Sequence, residues 1–169
     1  MSTDVRQSRA RENRETFLGA LAGRLAVLGG ALSIALAALV VISVTGRYLF
    51  SSPIEGDFEV VKMATAVAVF SFLPYAQWRR SNIMVDTFTG WLPQSVQRSI
   101  DAFWDIVYAA FMTLVGVQLA RGAMDSIRSG ETMMQLPVLL WPAIAICASL
   151  SILVAAVSVA TASRMWGSR

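Results

Sequence analysis

The sequence predicts an all-α integral membrane protein, with four transmembrane helices and an amphipathic interfacial helix before the third. Three observations carry this prediction. Hydrophobic residues occupy 56% of the 169 positions and charged residues only 15%, against about 25% charged in ordinary soluble domains. The mean hydropathy is +0.59. The charges are also segregated, leaving four stretches between consecutive charged residues that are long enough to consider as bilayer crossings. A charge at the bilayer centre costs roughly 3 kcal/mol, and about 20 apolar residues cross the hydrocarbon. The gaps between charges therefore mark the spans.

Residues 1–24 read as a cytoplasmic tail and interfacial helix. Arginines at 6, 9, 11 and 14 are followed by Phe17, Leu18, Leu21 and Leu25 at helical spacing. A cleaved signal peptide is the competing reading. The uncharged stretch 25–46 is longer than a signal h-region and no cleavage pattern follows it, so retention is expected. That stretch is the first span. The second covers 60–78, where Val60, Val61 and the snorkelling stem of Lys62 extend a short uncharged run. The third covers 103–120, with Phe103 and Trp104 anchoring its start. The fourth is expected over 137–162, beginning at Leu136-Pro137, because proline in a first helical turn has no amide hydrogen to lose. Residues 163–169 form a C-terminal tail, which leaves 25–162 as the membrane domain.

Between the second and third spans, Val96, Ile100, Phe103, Trp104, Val107 and Phe111 keep a helical period, while Gln94, Gln97, Arg98, Asp101 and Asp105 take the other side. This predicts a helix lying along the membrane surface and running into span three.

Basic residues set the orientation. Arg6, Arg9, Arg11, Arg14, Arg24, Arg79, Arg80, Arg98, Arg164 and Arg169 fall on the side shared by both termini and the second loop. Arg47, Lys62, Arg121 and Arg128 fall on the other. The excess places both termini in the cytoplasm. The basic balance thus reflects topology and not a nucleic-acid partner, since the one cluster, in the N-terminal tail, is diluted by Glu12 and Glu15.

The chain offers few groups for chemistry. Histidine is absent and cysteine occurs once, at Cys147, which removes imidazole haem ligation, histidine-based zinc sites, Ser-His chemistry and any disulfide within the chain. No cofactor or metal is expected, and no enzymatic activity. Asp101 and Asp105 share a helix face and could hold a proton or a metal; the simpler expectation is a solvated edge with Arg98 as ion partner. Glu55, Asp57 and Glu59 could attract a cation or a basic partner. They lack the ligand-rich loop of a calcium site, and favourable charge at a helix start explains them more simply. Small residues four apart, Ala31 with Ala35 and Ala156 with Ala160, would permit close helix approach, although alanine-rich composition produces the same pattern. Pro74 inside span two is expected to kink it. Trp141-Pro142 and Met133-Met134 read as packing and interface anchors, and Cys147 as a small buried hydrophobe. No span carries a central charge, and no paired Gly/Pro break appears in matching halves, so the chain lacks what secondary transporters use to hold ions and acidic solutes.

The loops add a family pattern. The run Gly46-Arg47-Tyr48-Leu49-Phe50-Ser51-Ser52-Pro53, then Glu59 entering span two, then Arg79-Arg80-Ser81-Asn82-Ile83-Met84-Val85-Asp86 and Leu92-Pro93, resembles the small membrane subunit of tripartite ATP-independent periplasmic (TRAP) transporters. The resemblance covers roughly 25–160. It departs from the family at Ser81-Asn82, where Gly and His are common, at Met84 in place of a frequent Arg, and at Ile54, where a Trp often follows the proline. The resemblance implies a bacterial inner-membrane subunit that binds a large permease subunit. With a periplasmic substrate-binding protein, such a system imports carboxylate-containing solutes on a sodium gradient. The solute and sodium sites then lie in the large subunit, and the small one enlarges the static scaffold. By positional match Arg47, Glu59, Arg79, Arg80 and Asp86 are the candidate structural or subunit-interface residues, with no catalytic or substrate-binding residue among them. Three other classes compete: a tetraspan scaffold unrelated to transport; a self-sufficient small transporter, which would need a membrane-embedded carboxylate that the first span lacks; and an intramembrane enzyme or redox subunit, for which the chain has no His or paired Cys.

Overall fold

The computed structural model describes residues 2–50, 56–79, 94–134 and 136–167. Among the described residues four helices follow in order: α1 (Ser2–Phe50), α2 (Asp57–Trp78), α3 (Gln94–Ser129) and α4 (Trp141–Gly167). Each contains a segment long and apolar enough to cross a membrane: Phe17–Leu49, Asp57–Trp78, Ser99–Ser129 and Trp141–Ser163. At 1.5 Å per residue α2 is about 33 Å long, close to the ~30 Å hydrocarbon thickness, whereas α3 at about 54 Å outruns it.

Successive helices run antiparallel. Gly19 of α1 meets Trp78, Gly29 meets Ala68 and Ser71, and Gly116 of α3 meets Ile152 and Ser151 of α4. We call the end with both termini proximal and the opposite end distal. The most extensive packing is α3 on α4, followed by α1 on α2 and α2 on α4. The pairing leaves α2 and α4 in the middle and α1 as an edge helix. Met112, Val154 and Ala155, with Leu73 and Tyr108 against them, form the apolar centre where α2, α3 and α4 meet.

Size decides which side of each helix faces inward. On α1 the buried residues are Ala22, Gly29, Leu36 and Ser43, seven apart, while Val27, Ile34, Val41 and Tyr48 lie outside. A seven-residue period is the seam of left-handed helix pairs. On α3 the inner stripe includes Ala102, Ala109, Gly116 and Ala123, while Phe103, Phe111 and Leu114 point away. Lipid tails are as apolar as leucine, so burying large side chains gains little in a membrane. Close backbone approach gains dispersion contacts, and small residues allow it. Of the alanines expected to mediate this contact, Ala160 is half-buried, whereas Ala31, Ala35 and Ala156 are exposed, because their side of the helix turns away from the neighbour.

The helix ends add detail. The segment expected to lie along the surface before span three forms the first turns of α3, which is continuous from Gln94 to Ser129. The fourth helix begins at Trp141, not near Pro137. Residues 131–134 and 136–140 instead pair as the two arms of a small hairpin: Thr132 pairs with Leu139, the Met133 amide donates to the Val138 carbonyl at 2.9 Å, and the Leu140 amide donates to the Glu131 carbonyl at 3.3 Å. Gly130, at φ 65°, ends α3, and the Glu131 amide reaches back to the Ser126 carbonyl, as in a Schellman cap. Met134, expected as an anchor, is 99% exposed. Pro74 is buried within α2, which continues to Trp78. Cys147 is buried, as expected.

Candidate functional site

Polar side chains gather at the two ends of the bundle. At the distal end Gly56 takes the left-handed conformation (φ 75°) and caps α2, its carbonyl accepting from the amides of Glu59 and Val60, both at 3.1 Å. A side chain here would be strained, and a Cβ would also lie 2.5 Å from Cγ of Leu136 in the hairpin. This turn brings two carboxylates to their partners. Asp57 accepts from the hydroxyl of buried Ser43 on α1 and, at 2.7 Å, from the Phe58 amide; the charge of Arg47 adds a coulombic attraction. Glu59 accepts from the Met134 amide at 2.9 Å. The distal cluster therefore ties α1, α2 and the hairpin together through carboxylates in the first turn of α2, where negative charge also suits the helix dipole.

At the proximal end buried Gln77 of α2 donates to Asp105 of α3 at 2.7 Å. Asp105 is thus a contact between helices and not the solvated edge expected from its neighbourhood with Asp101 and Arg98. Replacing Asp105 with Ala removes the acceptor of a buried amide and is expected to cost about 1–3 kcal/mol, measured as unfolding in lipid nanodiscs. Replacing Asp105 and Gln77 together with Leu should restore most of it. A fully stable Asp105→Ala variant would show that the bond contributes nothing. Arg79 closes α2, its amide bonded to the Tyr75 carbonyl at 2.9 Å and its guanidinium 5.9 Å from the centre of the Tyr75 ring, within cation–π range.

Between these ends the hydroxyls bond to their own helices. Ser33 donates to the Gly29 carbonyl, Ser71 to Val67, Thr113 to Ala109, Ser151 to Cys147 and Thr161 to Val157. Ser126 and Ser158 are buried without a bond; they sit on different helices towards opposite ends. Among the described residues no group of acidic or cysteine side chains could hold a metal ion.

Of the residues picked from sequence, Arg47 and Glu59 share the distal cluster and Arg79 sits at the proximal end. Arg80 and Asp86 lie outside the described residues. Sequence reasoning missed Ser43 and Gln77. Ser43 could have been found as the polar member of the seven-residue series 22, 29, 36, 43; Gln77 carries no such signal.

Neither a curated protein nor a solved structure matches the chain. A family model does, over residues 36–167: tripartite ATP-independent periplasmic transporters, DctQ component. The matched region takes in the distal end of α1, from residue 36, and all of α2, α3 and α4. It therefore spans both polar clusters and the charge-free middles between them. The chain belongs to the DctQ component family of these transporters, as a small permease subunit and a multi-pass protein of the inner membrane.

Proposed function

We propose that the chain is the accessory subunit of a sodium-coupled, binding-protein-dependent importer of carboxylate-containing solutes, and that it braces the large permease subunit. One observation carries this reading: between the two polar ends the described residues of the four helices carry no charge, and most of their hydroxyls are already spent on their own backbone carbonyls. A hydrated anion or sodium ion entering such an interior would lose its water shell with nothing to replace it. Bracing needs the opposite qualities, a stiff bundle with an apolar outer face. The exposed stripe of Ile34, Val41 and Tyr48 on the edge helix α1 suits packing against a larger membrane partner. In this reading both termini are cytoplasmic, following the excess of Lys and Arg on that side. The first turns of α3, with exposed Phe103 and Trp104, then sit at headgroup level. The distal cluster faces the periplasm, where the substrate-binding protein docks. No cofactor or nucleic acid takes part.

Proteoliposomes test this. Solute uptake on a sodium gradient is expected only when the chain is reconstituted with the large permease subunit and the binding protein; uptake by the chain alone would refute the accessory role. Replacing Glu59 or Arg47 with Ala is expected to lower assembly or uptake severalfold while leaving the order of preferred solutes unchanged, because selectivity resides in the partner. Competition assays with a panel of carboxylates measure this, and a reordered panel would place selectivity in the small subunit.

A further inference from the structure

We propose that the proximal groove between α1 and α2 binds an anionic phospholipid, with the phosphate between Arg24 and Arg79 and an acyl chain along Val27 and Leu28. The groove has a volume of 840 Å³ and is lined by Ala20, Gly23, Arg24, Val27, Leu28 and Tyr75, among others. Small residues create it: at Gly23 even a Cβ would stop 4.0 Å from the Tyr75 ring, and Ala20 continues the hollow one turn away. The Tyr75 ring forms part of the wall, and each helix supplies a cation. Arg24 of α1 lines the groove, and the Arg79 guanidinium of α2 lies over the Tyr75 ring at 5.9 Å.

The order along the membrane normal is that of a lipid. Arg24 precedes the uncharged stretch of α1, and Val27 and Leu28 follow about one turn deeper, roughly 5 Å into the hydrocarbon. Charge thus sits at headgroup level and aliphatic surface directly below it. No acidic side chain is among the lining residues, so the rim carries positive charge that favours a phosphate. Two guanidinium groups can each donate paired hydrogen bonds to phosphate oxygens, and basic pockets between membrane helices select anionic headgroups by this chemistry.

The test uses the full-length chain in neutral detergent micelles, with thermal unfolding followed during titration of phosphatidylglycerol, of phosphatidylcholine with the same acyl chains, and of inorganic phosphate. Phosphatidylglycerol is expected to raise the midpoint saturably, and the other two to have little effect. In the Arg24→Gln/Arg79→Gln variant the half-saturating concentration should rise about tenfold. Arg24→Lys/Arg79→Lys should keep most of the response, and Arg121→Gln/Arg128→Gln, at the distal end, should keep all of it. Equal stabilisation by phosphatidylcholine, a response to inorganic phosphate alone, or an unchanged response in Arg24→Gln/Arg79→Gln would overturn the proposal. So would loss of the response once the large permease subunit is bound, which would show that a protein covers the groove.

Discussion

Replacing Gly116 with Leu is expected to destabilise the bundle by about 3 kcal/mol or more. Gly116 stands where α3 crosses α4, the most extensive helix contact in the molecule. A bare Cβ there would lie 3.0 Å from Cγ1 of Ile152, 3.3 Å from Cβ of Ser151 and 3.5 Å from the Ala148 carbonyl oxygen. An alanine would already press on its neighbours, and a leucine has to push the helices apart. In a bilayer no hydrophobic term offsets that loss, since α3 and α4 are held by close contact and by few bonds between side chains. Gly122→Leu on the same helix is the control, because nothing lies within 4 Å of that Cβ. Unfolding by denaturing detergent, read by helix content and by crosslinking of α3 to α4, distinguishes the two. Equal stability of the variants would mean that close approach at Gly116 does not hold the pair.

Gly56→Ala is expected to loosen the whole distal cluster. The left-handed conformation at φ 75° costs any residue with a Cβ about 1–2 kcal/mol, and the contact 2.5 Å from Leu136 adds roughly 1–3 kcal/mol of overpacking. The two causes can be separated. Gly56→Ala with Leu136→Ala should recover the steric share and keep the conformational one, while Gly56→Asn should carry a smaller conformational cost, asparagine tolerating this backbone better than alanine. Beyond stability, the hairpin should detach from α2, breaking the Met134 to Glu59 bond, so the Met134 amide is expected to exchange its hydrogen faster. Unchanged exchange at Met134 would show that Gly56 does not seat the hairpin.

The sequence patterns reveal the number of helices more readily than their faces. Charge costs so much in hydrocarbon that the gaps between charged residues mark all four spans, and the helices fall on them. Choosing the inward side of a helix is harder, because lipid and neighbouring helices are equally apolar. Val27, Ile34 and Val41 are as greasy as any core stripe, yet they face outward, while Ala22, Gly29, Leu36 and Ser43 face in. In alanine-rich α1 the series starting at Ala31 looked equally suitable. Asp105 shows another limit: its sequence neighbours suggested an exposed ion pair, but its partner Gln77 lies 28 residues away on another helix. Local spacing does not encode that contact. The start of α4 depended on the hairpin bonds between residues 131–134 and 136–140, which outweighed the preference of Pro137 for a first helical turn. Arg47 and Glu59 were legible because charged residues beside a span have few places to go except its ends.

The central claim is that these four helices brace a carrier without themselves holding what is carried. Equilibrium binding to the isolated chain in lipid nanodiscs tests it most directly, using radiolabelled sodium and a panel of labelled carboxylates. No saturable binding of either is predicted, because most of the interior hydroxyls are committed to backbone carbonyls and the middle of each helix is free of charge. Saturable sodium or carboxylate binding, weakened by substitutions inside the bundle such as Ser158→Ala, would contradict the account.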